Sequence, residues 1–187
     1  MATADEVIQD AQSRMGKSVE HARSEFTTVR TGRASASLLD RIEVDYYGTP
    51  TPLKQLATIN VPEPRMLTIQ PFDPGSIRGI EKAIQESDLG LTPSNDGKLI
   101  RLPIPQLTEE RRKELVKVVR NLAEDHRVAV REIRRDAMRH LKELVDSGEV
   151  GADEEHRSEV HVQELTDEHT KQIDELLKHK EAEVMEV

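Results

Sequence analysis

The fold is decided by residues 108–146, which read TEERRKELVKVVRNLAEDHRVAVREIRRDAMRHLKELVD. Apolar side chains recur in this stretch every three or four residues, which is the spacing of one face of an α-helix. Thr108 is a favourable N-cap, and the two glutamates that follow it suit the positive end of a helix dipole. Gly148 and Gly151 come directly after the pattern as stop signals. The stretch therefore predicts one helix of about ten turns.

Two further segments, residues 3–30 and 153–184, carry a helical stripe of their own. The inner positions are Ile8, Ala11, Met15, Val19, Ala22, Phe26 and Val29 in the first, and Val162, Leu165, His169, Ile173, Leu176 and Val184 in the last. Three amphipathic stripes of this length are most simply buried against each other. The pattern predicts an antiparallel three-helix bundle.

The material between the first two helices is different, because residues 31–106 hold all nine prolines and six of the nine glycines. Strands are predicted at 42–46, 58–61, 66–69 and 99–102, and a short helix at 73–86. Residues 48–52 (GTPTP) are expected to break the first strand, and 95–97 (NDG) to form a turn. The predicted fold class is α+β with two domains. An antiparallel three-helix bundle (1–30 and 106–187) carries an inserted small β/α/β domain (31–105).

The insertion leaves two short chain segments as the only crossings between the domains. One contains Thr31, Gly32 and Arg33, and the other contains Pro103 and Pro105. Two short strands between compact units are typical of a hinge. The alternative is a rigid double linker, because proline restricts the backbone.

The long helix holds the positive charge of an acidic chain. Residues 111–142 carry +6 and the rest of the chain −15, for a net charge of −9. The basic residues are Arg111, Arg112, Lys113, Lys117, Arg120, Arg127, Arg131, Arg134, Arg135, Arg139 and Lys142. Counted at about 100° per residue from Arg112, Arg134, Arg127, Arg120 and Arg131 fall between about 40° and 100°. Apolar residues gather between about 240° and 340°, and most acids near 200° to 240°, so the charges are separated by sign.

Separation of the signs favours an anionic partner over a solvated helix face. A solvated face mixes Glu and Lys at i,i+4, whereas like charges such as Arg127 and Arg131 repel by about a few tenths of a kcal/mol. The planar fork of arginine suits paired contacts to phosphate. Structured RNA is the favoured partner, since the inserted domain is expected to lack the interleaved exposed aromatics that would stack on single-stranded bases. The alternative is that these arginines pair with acids of the bundle itself.

The sequence predicts no catalytic site, no metal site and no cofactor. Cysteine is absent, and no P-loop, nucleophile elbow or H-E-x-x-H motif occurs. His126, His140 and His169 fall on apolar helix faces and are expected to be buried with hydrogen-bond partners. His156 and His161 lie among acids and leave a zinc site as a weak alternative. No signal peptide or run of 18 apolar residues is present, so we expect a cytoplasmic protein that contacts no membrane. We also expect it to be monomeric and non-enzymatic.

Five groups of residues, in order along the whole chain, match a known family. They are residues 31–35 (TGRAS), 46–53 (YYGTPTPL), 87–90 (SDLG), 107–113 (LTEERRK), and 128–131 with 133–136 (VAVR and IRRD). With this order and spacing, the chain resembles the bacterial ribosome recycling factors. One departure is Gln106, which stands where many members of the family have proline.

The resemblance implies an L-shaped pair of domains and a function after translation termination. Such a factor binds the post-termination ribosome through the 23S rRNA of the large subunit. With elongation factor G and GTP it splits the ribosome into subunits, and mRNA and tRNA are released. Two other functions fit the sequence: a factor that occupies the ribosome without recycling it, and a helical adaptor for an acidic protein.

The resemblance also selects residues from the basic helix. It implies that Arg112, Arg131 and Arg134 contact rRNA, with Arg30 as a weaker match to the same role. It also places Gly32 and Pro103 in the hinge region. Arg120 and Arg127 share the predicted face and complete the set of candidate rRNA-binding residues.

Overall fold

The structure is a computed structural model that describes residues 3–186. The outer limits of the predicted helical domain, residues 1 and 187, lie outside the described residues. The helices are α1 (Ala4–Thr28), α2 (Leu53–Leu56), α3 (Ile77–Glu86), α4 (Glu109–Asp146) and α5 (Ala152–Met185). The strands are β1 (Glu43–Tyr46), β2 (Thr49–Pro52), β3 (Ala57–Glu63), β4 (Met66–Pro71), β5 (Ser94–Asn95) and β6 (Ile100–Pro103). Short 3₁₀ turns occupy Ala36–Leu39 and Pro74–Ser76.

The chain divides into two compact units. The helical unit comprises the chain up to Val29 together with Lys113–Ala182, and the smaller unit comprises Arg30–Arg112 together with the segment from Glu183. The first turn of α4 is therefore grouped with the smaller unit. None of the helices within residues 3–186 is long and apolar enough to cross a bilayer.

In the helical unit, α1, α4 and α5 share one aliphatic core. Fully buried side chains from all three helices meet in it, such as Met15, Val119 and Ile173. The helix ends follow the sequence. Thr3 and Glu6 form a reciprocal capping box at the start of α1, with hydrogen bonds of 2.7 and 3.2 Å. The predicted stop at Gly148 is confirmed, because this residue has the left-handed φ of +77° that glycine adopts without strain.

The smaller unit is built on two antiparallel sheets, β1-β2 and β3-β4-β6-β5. The break predicted at residues 48–52 is confirmed, because β1 ends at Tyr46. Thr49–Pro52 then form a second strand, β2, which pairs with β1 and was not predicted. Proline is tolerated there because β2 has a partner on one side only. Residues two apart in a strand point their backbone nitrogens the same way, so both Pro50 and Pro52 can face the unpaired edge. The predicted strands at 58–61, 66–69 and 99–102 are confirmed as β3, β4 and β6. The hairpin turn predicted at residues 95–97 joins β5 to β6.

Two predicted inner positions of α4 lie outside the core. Val118 is 44% exposed, and His140, expected to be buried, is exposed. The other two predicted core histidines are confirmed. His169 is 7% exposed and its Nδ1 lies 2.6 Å from the carbonyl oxygen of Leu165, and His126 is equally buried.

Candidate nucleic-acid interface

The position of each arginine around α4 determines how deeply its side chain packs. The buried residues of α4 are Leu115, Val119, Ala123, His126, Val130, Ile133, Ala137, Leu141 and Leu144. Counted from Arg112, they span about 300° to 20°, which is further round the helix than the predicted apolar face. Arg134, at about 40°, lies at the margin of the buried stripe, and Arg112, at 0°, lies within it in the first turn of α4. Both are half-buried, whereas Arg131 and Arg135 point further away and are exposed.

Arg112 and Arg134 share a feature that sets them apart from the other arginines on α4. In each, the Nε atom is buried and has no hydrogen-bond partner within residues 3–186. A buried donor without an acceptor costs about 1–3 kcal/mol, so such groups call for an explanation. The partial burial of each side chain restricts the direction in which its guanidinium points. A ligand that draws the guanidinium outward and accepts a hydrogen bond from its Nε would remove this cost.

Arg120 and Arg127 instead contact acids of the same unit. Arg120 Nε donates to Glu181 Oε1 at 2.6 Å. Arg127 Nε donates to Asp174 Oδ1 at 2.7 Å, and its Nη1 lies 3.1 Å from Glu124. Both acids outside α4 belong to α5. For these two arginines the structure thus contains the internal ion pairs that the sequence left as the alternative.

Arg131 is held by Glu124, the one acid of residues 111–142 that falls on the basic side of α4. Its Nη2 donates to Glu124 Oε1, and both side chains are about half-exposed. Hydrogen bonds from Arg131 and Arg127 lower the pKa of Glu124 below its usual value. Exposed pairs of this kind contribute about 0–1 kcal/mol, so an incoming phosphate can replace the carboxylate at small cost.

Arg30 lies in the segment after α1 that has no regular secondary structure. Its Nη2 donates to the carbonyl oxygen of Leu89, which belongs to the same smaller unit. That bond uses one of the five N–H donors of an exposed guanidinium. The Arg30 guanidinium is therefore held through Nη2, and its other N–H groups can donate to a further partner.

The predicted hinge residues differ in how firmly they are held within the smaller unit. The backbone N–H of Ala34 donates to Pro64 at 2.7 Å, and that of Ile104 donates to Arg65 at 2.8 Å. Both crossing segments are thereby fixed to the turn between β3 and β4. Pro103 lies inside β6, opposite Met66.

The remaining hinge residues lie beyond these anchor points. Thr31, Gly32 and Arg33 precede Ala34, and Pro105 follows Ile104. Arg33 also forms an ion pair of 3.0 Å with Glu186 in the same unit. Residues 29–33 on the first crossing and 105–108 on the second are therefore the ones that lie between an anchored residue and the adjoining helix.

The protein thus belongs to the class that combines a unit of three long helices with a separate small α+β unit, and its longest helix carries two arginines whose buried Nε atoms have no partner within residues 3–186. The family profile described as ribosome recycling factor matches residues 22–185. The chain belongs to the ribosome recycling factor family.

Relatives and solved structures of this family match nearly the whole chain. A ribosome-recycling factor of Rubrobacter xylanophilus is 56% identical over 180 residues, covering 96% of this chain and 97% of the relative. One of Geobacillus kaustophilus is 55% identical over 184 residues, covering 98% and 100%. A solution structure of a ribosome recycling factor superposes with a TM-score of 0.80 at 40% identity over 100% of both chains.

A second solved structure concerns a complex. It is described as models for the T. thermophilus ribosome recycling factor and the E. coli elongation factor G bound to the E. coli post-termination complex. Its matching chain has a TM-score of 0.67 and 44% identity, with 99% of this chain and 100% of that chain covered.

Proposed function

We propose that this protein recycles ribosomes after translation termination. It binds the post-termination ribosome through 23S rRNA and, with elongation factor G and GTP, separates the subunits so that mRNA and tRNA are released. Membership of the family supports the general role. The partners are carried over from the relative that is described together with elongation factor G on a post-termination complex.

The observation that carries the rRNA contact is the pair of buried, unpartnered Nε atoms on Arg112 and Arg134. A guanidinium held in place by its stem loses little entropy on binding and presents a fork that matches phosphate geometry. Arg131, Arg127 and Arg120 lie beyond them around α4 and can exchange carboxylate for phosphate. Arg30 adds a donor from the start of the first crossing segment. Contact through phosphate and shape suits folded rRNA.

The mechanism requires motion and needs no covalent chemistry by this chain. We propose that the helical domain (1–30 and 106–187) anchors the factor and that the inserted domain (31–105) turns about the two crossings. Hinge bending uses a few residues that absorb a change in φ and ψ. The residues between the end of α1 and the anchored Ala34 are the candidates for this change on the first crossing. On the second crossing Pro105 has its φ fixed and can contribute through ψ alone.

Subunit separation measured by light scattering tests the proposal. Post-termination complexes mixed with this protein, a matched elongation factor G and GTP are expected to lose scattering intensity as the subunits part. Omission of GTP or of the factor provides the blank, and the Geobacillus kaustophilus relative is the positive control. If the relative splits the complexes and this chain binds them without splitting, the protein occupies the ribosome without recycling it, and the proposal is wrong.

Replacement of Gly32 by proline is expected to impair splitting more than binding. Proline fixes φ near −65° and removes an N–H, which stiffens the first crossing segment. Gly32→Ala is the control, because a Cβ there would lie 3.8 Å from Leu107 Cγ, an ordinary van der Waals distance. We expect the rate of splitting to fall several-fold in Gly32→Pro at unchanged affinity for large subunits. Equal loss of affinity and splitting would argue against a hinge at this position.

A further inference from the structure

Two histidines and one glutamate meet on the helical unit at a point that the rRNA-binding role does not use. His21 and Glu25 lie one turn apart on α1, and His126 faces them from α4. They form the one group of three or more potential metal ligands found within residues 3–186. Neither His156 nor His161, where the sequence left a weak zinc alternative, belongs to such a group.

The distances between the ligand atoms are close to those of a coordination shell. His21 Nε2 lies 3.5 Å from Glu25 Oε1, and His126 Nε2 lies 2.8 Å from Glu25 Oε2. All the ligand atoms lie within 4.8 Å of one another. In a tetrahedral zinc site with bonds of about 2.0–2.1 Å, neighbouring ligand atoms are about 3.3 Å apart. Small side-chain movements would therefore suffice to close the three ligands around one ion.

The surroundings of the cluster combine a fixed ligand with an accessible one. The His126 side chain is 8% exposed and is held in the core, whereas that of His21 is 69% exposed and that of Glu25 37%. The imidazole rings are nearly perpendicular, with centroids 5.3 Å apart. The hydrogen bond from His126 lowers the pKa of Glu25, so this carboxylate is ionised at neutral pH. An ion at this point would be reached from solvent and would keep a coordination position for water.

We propose that His21, Glu25 and His126 bind a transition-metal dication of the zinc class and thereby link α1 to α4. Two imidazole nitrogens and one carboxylate oxygen are a donor set for zinc, nickel or copper. Magnesium and calcium prefer all-oxygen shells and do not suit this set. The ion takes the place of the hydrogen bond between His126 Nε2 and Glu25 and joins two helices that already pack in one core.

The test uses the full-length chain without an affinity tag, stripped of metal with a chelator. Isothermal titration calorimetry with zinc chloride at neutral pH is expected to show one equivalent bound, and magnesium chloride none. Zinc is also expected to raise the midpoint of thermal unfolding, because an ion that binds only the folded state stabilises it. Cobalt chloride, titrated in parallel, should give the visible absorption bands of a cobalt ion with nitrogen ligands.

Matched histidine variants show whether the ion sits in this cluster. His21→Ala removes an exposed ligand without opening the core, and His161→Ala removes an exposed histidine from α5. We expect His21→Ala to weaken zinc binding by at least about tenfold, the lower end of what even the loss of a second-shell partner costs, and His161→Ala to leave it unchanged. Glu25→Gln should lower the affinity in the same direction. Absence of saturable zinc binding, or equal affinities in the two histidine variants, would overturn the proposal.

Discussion

Substitution of Arg134 by alanine is expected to weaken binding to isolated large ribosomal subunits by about tenfold to a hundredfold. The Nε of Arg134 is buried without a partner, so the guanidinium has to move outward for rRNA to supply the missing acceptor, and hydrogen bonds to charged groups are worth about 1.5–3 kcal/mol. A tenfold change in affinity corresponds to about 1.4 kcal/mol. Binding should also depend less on salt, with the slope of log K against log salt reduced by roughly 0.7–0.9 for the lost phosphate contact. Sedimentation binding assays across a salt series measure both quantities.

Arg135→Ala is the matched control for this experiment. Arg135 is the next residue on α4, its side chain is 73% exposed, and it pairs with Glu132 at 2.6 Å. Its replacement removes the same charge but no buried donor, so we expect a smaller loss of affinity. If Arg134→Ala and Arg135→Ala weaken binding equally, the general charge of the helix determines affinity and the buried Nε has no special role.

Arg112→Ala extends the test to the other arginine with a buried, unpartnered Nε. The two residues lie about six helical turns apart on α4. Contributions of residues at such a separation usually add. The double variant is therefore expected to lose the sum of the two single effects on the logarithmic scale.

The long helices were predictable from the sequence because their stripes are long and their ends carry clear caps. Thr108 accepts a hydrogen bond from the N–H of Arg111 at 3.1 Å, as an N-cap does. The limits of α1, α4 and α5 fall within one or two residues of the prediction. Local backbone chemistry determines these features, and local chemistry can be read from a sequence.

The use of each charged side chain was less predictable, because it depends on neighbours that are distant in the chain. The hydrogen bond between Glu124 and Arg131 is an exception, because the two residues lie seven apart on the same side of one helix and their proximity can be read from the sequence. Arg127 pairs with Asp174, 47 residues away. A helical wheel assigns a direction to a residue but does not identify what occupies that direction. Val118 is exposed for the same reason, since the packing of α1 and α5 decides which part of the apolar face is covered.

The His21, Glu25 and His126 cluster was missed on the same grounds. The spacing of His21 and Glu25 is visible in the sequence as an i,i+4 pair, but the third ligand is 101 residues from Glu25. The sequence pattern points to a metal site only where histidines lie close together in the chain, as His156 and His161 do. Helix packing places His126 beside α1, and the periodicity of α4 predicted only that it would be buried.

Met15→Ala is expected to destabilise the helical unit by about 2–5 kcal/mol, the usual cost of removing a large side chain from a packed core. Met15 is 0% exposed and belongs to the core shared by α1, α4 and α5. Folded domains are stable by only about 5–15 kcal/mol, so this loss should be large enough to reduce the population that presents α4 correctly. Hydrogen exchange measured by mass spectrometry, combined with urea denaturation, reports the loss segment by segment.

The segments that lose protection from hydrogen exchange show whether the two units unfold independently or together. Met185→Ala makes the same chemical change at a position that is 52% exposed, and it should alter stability by no more than about 0.5 kcal/mol. If the two units unfold independently, Met15→Ala lowers protection in α1, α4 and α5 and leaves α3 and β4 unchanged, because their side chains form a separate core. Equal loss of protection in α3 would contradict independent unfolding. It would mean that the crossings couple the two units strongly, which is the behaviour of a rigid double linker and not of a hinge.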